Sequence, residues 1–124
     1  MQDIYAYGPD RLYDYLEAQK WYKKAVEISK PLYEANPSDE NVFLYGAAEY
    51  ELGMFYNNNE GSGYGNINNA AKAGYIYAMW WMGYCYQFGL QGSVNEKLAL
   101  DWYEKALDKY GFLGWAEKYY NELK

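Results

Sequence analysis

The decapeptides EAQKWYKKAV (17–26) and LALDWYEKAL (98–107) agree at five of ten positions without a gap, and this repetition restricts the fold more than any other feature of the chain. The shared pairs are Ala18 and Ala99, Trp21 and Trp102, Tyr22 and Tyr103, Lys24 and Lys105, Ala25 and Ala106. A second echo sets Leu52-Gly53-x-x-Tyr56 against Met82-Gly83-x-x-Tyr86. A third is the glycine closing each unit, Gly74 after AAKA and Gly111 after KALDKY, 37 residues later. Two kinds of segment therefore alternate at the spacing of helix-pair repeats. A unit of that size cannot bury its apolar face alone, so the chain must stack its units side by side.

The periodicity is helical. From Asn95 to Tyr110 the apolar positions Leu98, Ala99, Trp102, Tyr103, Ala106, Leu107 and Tyr110 follow one helix face. Ser93 with Glu96 reads as a capping box and Gly111 as a stop. The earlier copy predicts a helix over about 10–30, kinked or ended by Pro31. Asn36-Pro37-Ser38 opens the next, over about 37–56. NNNEGSGYGNINN, 57–69, reads as a loop. Helices over 69–73, 75–88, 95–110 and 112–123 complete the chain, with no β-type alternation of useful length. The predicted class is all-α, one helical repeat domain over residues 1–124.

These residues resemble the Sel-1-like repeat, a relative of the tetratricopeptide repeat. Its unit reads A-x-A-x-x-x-L-G-x-x-Y-x-x-G-x-G-V and then K-A-x-x-W-Y-x-K-A-A-x-x-G. Residues 78–111 follow it at Ala78, Met82 (for Leu), Gly83, Tyr86, Gly89, Gly92, Val94, Lys97, Trp102, Tyr103, Lys105, Ala106 and Gly111. Residues 17–26 match a second-helix motif, and Ala48, Leu52, Gly53 and Tyr56 a first-helix motif. Asn59 stands where the loop glycine belongs, and the second helix after it is cut to about NNAAKAG. The resemblance implies a short right-handed α/α solenoid of about three degenerate helix pairs. In such a stack Gly53, Gly83, Ala78 and Ala106 allow close helix approach, while Trp21 and Trp102 fill the gap between layers.

One segment carries more apolar surface than this scheme uses. In AMWWMGYCYQFG, 78–89, the face Ala78, Met82, Cys85 and Tyr86 meets the expected internal packing. Tyr77, Trp81, Tyr84 and Phe88 form a second stripe at i, i+4, i+7 and i+11. The resemblance places the first three of these on the concave side, where the family is commonly polar or variable. Glu51 and Met54 fall on the matching face of the preceding helix. Three occupants compete for the stripe: the chain's own loop 57–69 or MQDIYAYG segment, a second copy in a homodimer, or a protein or peptide partner.

Chemistry is excluded more sharply than it is indicated. The chain has no His, which removes the commonest general base and most zinc sites. Cys85, its only cysteine, lies on an apolar face and reads as an inert buried thiol. EGSGYGN lacks the Gly-Lys-Ser/Thr ending of a phosphate loop, and Glu49 and Glu51, two apart, point to different sides of a helix. A net charge of −6 disfavours nucleic acid. No charge occurs between Lys72 and Glu96, yet that run is rich in Tyr, Trp and Gly rather than aliphatic, so no membrane span is expected. MQDIYAYGPD has no basic start or long apolar run, so no signal peptide is expected, and a lone cysteine suits the cytoplasm. The reading is a non-enzymatic interaction module, without cofactor or metal, that binds a protein or peptide through a concave aromatic face. The alternative is a small acidic antagonist, such as an immunity protein or a phage-encoded inhibitor of a host defence enzyme.

Overall fold

The computed structural model describes residues 9–124. Six α-helices follow one another: α1 (Pro9–Ala35), α2 (Asp39–Asn59), α3 (Tyr64–Ala73), α4 (Ile76–Phe88), α5 (Glu96–Tyr110) and α6 (Glu117–Leu123), the last preceded by a 3-10 turn, Gly114–Ala116. Each helix packs mainly on its sequence neighbours, and there is no strand among the described residues. This is the short α/α solenoid that the repeats imply.

Helix α1 runs through Pro31 to Ala35, past the expected end. Proline removes one intrahelical N–H bond and crowds the preceding turn. Pro31 faces solvent, so the orphaned carbonyl can be hydrated, and the final turn is secured from α2. There Asn41 donates its side-chain amide to the carbonyls of Leu32 (3.2 Å) and Asn36 (2.8 Å), and Tyr33 stacks on Tyr45 at 5.0 Å. Ser38 then caps α2 by accepting from the Asn41 N–H at 3.2 Å, with Asp39 and Glu40 in the first turn, where the helix dipole favours them.

The stretch expected as a loop, 57–69, is largely helical. Helix α2 continues to Asn59 and α3 starts at Tyr64. Asparagine-rich sequence reads as loop because its side chains compete for backbone groups, but here they are engaged elsewhere. Asn57 Oδ1 accepts from the Gly63 N–H at 2.8 Å. The amides of Asn66 and Asn69 donate to the buried Glu49 carboxylate at 2.9 and 3.3 Å, joined by the Tyr45 hydroxyl at 2.7 Å. Three donors satisfy the buried carboxylate.

The small residues act as the repeat implies. A Cβ on Gly83 would lie 2.4 Å from Cε1 of Tyr103, and one on Gly63 would lie 1.7 Å from the Gly53 carbonyl oxygen. The crossings of α4 on α5 and of α2 on α3 therefore depend on missing side chains. Ala78 and Ala106 are fully buried in the same core. The tryptophans differ from expectation. Trp21 is 62% exposed and Trp102 only half-buried, with Lys105 Nζ 4.7 Å above its ring. Tyr103, one residue on, fills the gap between layers instead. Its hydroxyl donates to Gln87 at 2.8 Å, which satisfies the buried phenol. The start of α5 differs too: Asn95, not Ser93, accepts from the Leu98 N–H at 3.1 Å.

Candidate functional site

The expected stripe is presented on α4. Tyr77 (44%) and Phe88 (43%) are exposed, while Trp81 and Tyr84 are half-buried between them. On the opposite side Ala78, Met82 and Cys85 are buried, and Tyr86 is half-buried, its hydroxyl taking a bond from Tyr64 at 3.1 Å. Trp81 and Tyr84 stack at 5.6 Å and Tyr84 meets Phe88 at 4.8 Å, so three of the four rings form one sheet of edges and faces.

The rings reach well beyond α4. Phe43 of α2 touches Tyr75 at 5.7 Å, Tyr75 touches Tyr77 at 5.5 Å, and Tyr77 touches Trp80 at 5.3 Å. Trp80, buried where Gly114 crosses it, meets Phe112 at 5.6 Å and Trp115 at 6.1 Å. Trp115 and Tyr119 return to Tyr84 at 5.9 and 5.0 Å, and Tyr119 also meets Phe88 at 5.6 Å. A continuous aromatic network thus links α2, α4 and the C-terminal segment, and Phe43, Tyr77, Phe88, Phe112 and Trp115 keep exposed rings on it.

The C-terminal segment is held in place by Gln87. This buried amide accepts from Tyr103 and donates to the Tyr119 carbonyl at 3.0 Å, tying α4, α5 and α6 together. What flanks the stripe is Trp115 and Tyr119; MQDIYAYG lies outside the described residues. Phe112, Trp115 and Tyr119 were not among the expected site residues. The LGWAEKYY run, with rings at Trp115 and Tyr119, four apart, was the available signal. Phe43 carried none, because it joins the network through a contact between neighbouring repeats.

Of the two α2 residues, Glu51 is exposed; burial raises the Tyr50 and Tyr75 phenols, and the Glu51 charge adds to it as a lesser cause. Met54 is half-buried against the core. Burial is the larger cause at Tyr75, pushing its phenol up to about 12. The surface is thus a neutral array of ring faces with hydroxyl donors and one acidic margin, suited to apolar and hydrogen-bonding groups. Burial likewise raises the Cys85 thiol to about 11, leaving negligible thiolate at neutral pH. No helix among the described residues is long and apolar enough to cross a membrane.

Comparison with known proteins adds the family. The Sel1 repeat model matches residues 3–28, 46–75 and 76–110. The third stretch is α4 with α5, the second takes in most of α2 with α3, and the first ends within α1. No curated protein and no solved structure matches the chain. With three matched stretches covering most of its length, the chain belongs to the Sel1 repeat family.

Proposed function

We infer that this Sel1 repeat protein binds a protein or peptide partner through the aromatic surface of α2, α4 and the C-terminal segment, without catalysing a reaction. Sel1 repeats generally mediate protein–protein interaction. The observation that carries the reading here is the linked network with five exposed rings: Phe43, Tyr77, Phe88, Phe112 and Trp115. Contiguous exposed apolar patches mark interaction sites, and large rigid rings order cheaply on binding. Tyr77, Trp81, Tyr84 and Phe88 form its centre, with Glu51 and Met54 along the α2 margin. A net charge of −6 favours a basic partner surface and speeds encounter. The same charge supports the second reading, an acidic antagonist seated on a basic enzyme.

The test uses Tyr77→Ser with Phe88→Ser, since both rings are exposed and their loss leaves the core intact. Wild type and variant are compared by affinity purification from the native host with mass spectrometry, and by circular dichroism. A partner held by wild type and lost by an equally helical variant supports the site. A partner that the variant retains moves the site elsewhere, and a nuclease or toxin among the retained proteins would favour the antagonist.

A further inference from the structure

Beside the aromatic face, α2, the start of α4 and the end of α5 enclose a cleft of about 290 Å³ lined by Asp39, Phe43, Tyr75, Ile76, Lys109 and Tyr110. We propose that this cleft receives an arginine side chain of the partner, its guanidinium stacked on Phe43 and paired with the Asp39 carboxylate. The floor of the cleft is fixed by close packing. A Cβ on Gly46 would lie 2.4 Å from Cβ of Tyr75, so the missing side chain is what lets that residue lie across α2. Tyr75 is thereby buried, and Phe43 meets it edge to face at 5.7 Å while staying 56% exposed. Tyr110 supplies a third ring, its hydroxyl donating to the Gly74 carbonyl.

The charges choose the occupant. Asp39 and Phe43 stand four apart on α2, so the carboxylate and the exposed ring share a face, one turn from each other. Asp39 also acts on Tyr110, whose phenol is raised by burial first and by that charge second. Among the described residues the Asp39 side chain has no hydrogen-bond or ion-pair partner. Lys109, the one cation of the lining, is engaged elsewhere: its Nζ lies 5.6 Å over the Tyr110 ring and its chain passes Gly74. The cleft thus already holds a cation on one ring and leaves Asp39 and Phe43 for another. Arginine suits them better than lysine, because its plane stacks on a ring while its fork pairs with a carboxylate. A net charge of −6 draws such a side chain in, and arginine is among the residues that anchor interfaces. Tyr75 touches Tyr77 at 5.5 Å, which joins the cleft to the α4 stripe. The inference rests on the partner-binding reading for the source of that arginine.

Titrating the 124-residue chain with the peptide acetyl-Gly-Arg-Gly-amide, followed by backbone amide NMR shifts, tests the cleft without a partner. Saturable shifts at Phe43, Gly74 and Tyr75 are expected, with a Kd on the order of 5 mM for one anchored side chain. The citrulline peptide, which keeps the shape and lacks the charge, should bind about fivefold more weakly. Asp39→Asn should weaken the arginine peptide about threefold to fivefold and Lys109→Gln should tighten it about twofold, opposite signs that mark a cationic occupant. Both residues are exposed, so neither change reaches the core. Absence of a saturable shift up to on the order of 50 mM peptide overturns the proposal. So does equal binding of the citrulline peptide, which would make the cleft an uncharged slot. Reversal of both signs, with a glutamate peptide preferred, would make it an anion site and also overturns it. None of these failures touches the partner-binding reading, which is judged by capture from the host, and a failed capture leaves the titration result standing.

Discussion

The crossing of α4 on α5 positions the aromatic face, and its dependence on Gly83 makes a sharp test. A Cβ added there would sit 2.4 Å from Tyr103 Cε1, 2.6 Å from Cδ1 and 2.8 Å from Cζ. Ordinary carbon contacts lie near 3.5–4.0 Å, so the ring or the helix must move by about 1 Å. The ring is fully buried and its hydroxyl is fixed on Gln87, which in turn holds α6, so it has no free direction. Alanine gains about 1 kcal/mol over glycine from helix propensity. Overpacking of a rigid core costs about 1–3 kcal/mol and more when a hydrogen bond breaks with it. The net expectation for Gly83→Ala is a loss of about 2 kcal/mol, a fall in Tm of about 6–10 °C for a chain of this size. Gly65 supplies the control. It too is helical, but nothing lies within 4 Å of its added Cβ, so Gly65→Ala should gain about 0.5–1 kcal/mol. Thermal and urea unfolding followed at 222 nm measure both. If Gly83→Ala matches or exceeds wild type, the crossing tolerates a side chain and the packing argument fails.

Two further outcomes follow from buried polar groups. Glu49→Ala removes the acceptor of Tyr45, Asn66 and Asn69 and should cost about 2–4 kcal/mol; amide exchange across α3 should rise with it, and unchanged exchange there would show that the carboxylate does not hold α2 to α3. Cys85 and Tyr75 keep their protons more tightly folded than unfolded, up to about 11 and about 12, so their contribution to stability is fully present below pH 9 and is lost as pH climbs through those values. Urea midpoints should therefore hold level from pH 7 to 9 and fall steeply above 10, and a midpoint that declines already between 7 and 9 would contradict it.

Local periodicity made the helices and their pairing legible, because W-Y-x-K-A and L-G-x-x-Y fix which face of each helix is narrow and which is bulky. Gly83 and Ala106 could be assigned their packing roles for that reason. What escaped was set by contacts distant in sequence. Asn66 and Asn69 look like loop residues until Glu49, 17 and 20 positions away, takes up their amides. Trp21 looks like its copy Trp102, but identical residues are buried only as far as neighbouring elements reach them, and among the described residues Trp21 stays 62% exposed. Pro31 looks like a stop, yet the turn beyond it is secured by Asn41 from another helix. On the stripe itself, the four α4 positions were legible at i, i+4, i+7 and i+11, whereas the ring contacts of Phe43, Phe112 and Trp115 depend on where the next helix lands.

The way the C-terminal segment covers α4 explains where the exposed rings lie. A repeat stack leaves an uncovered face at each terminus, and stability requires that face to be polar or capped. At the C-terminal end the seven-residue α6 is too short to cover α4 by length, so it does so with rings: Trp115 and Tyr119 lean on Tyr84, and Gln87 fixes the backbone beneath them. Covering a helix with rings in place of a full helix leaves edges showing, which is why the exposed aromatics concentrate there. The aromatic face therefore arises where rings, in place of a full helix, lie on α4.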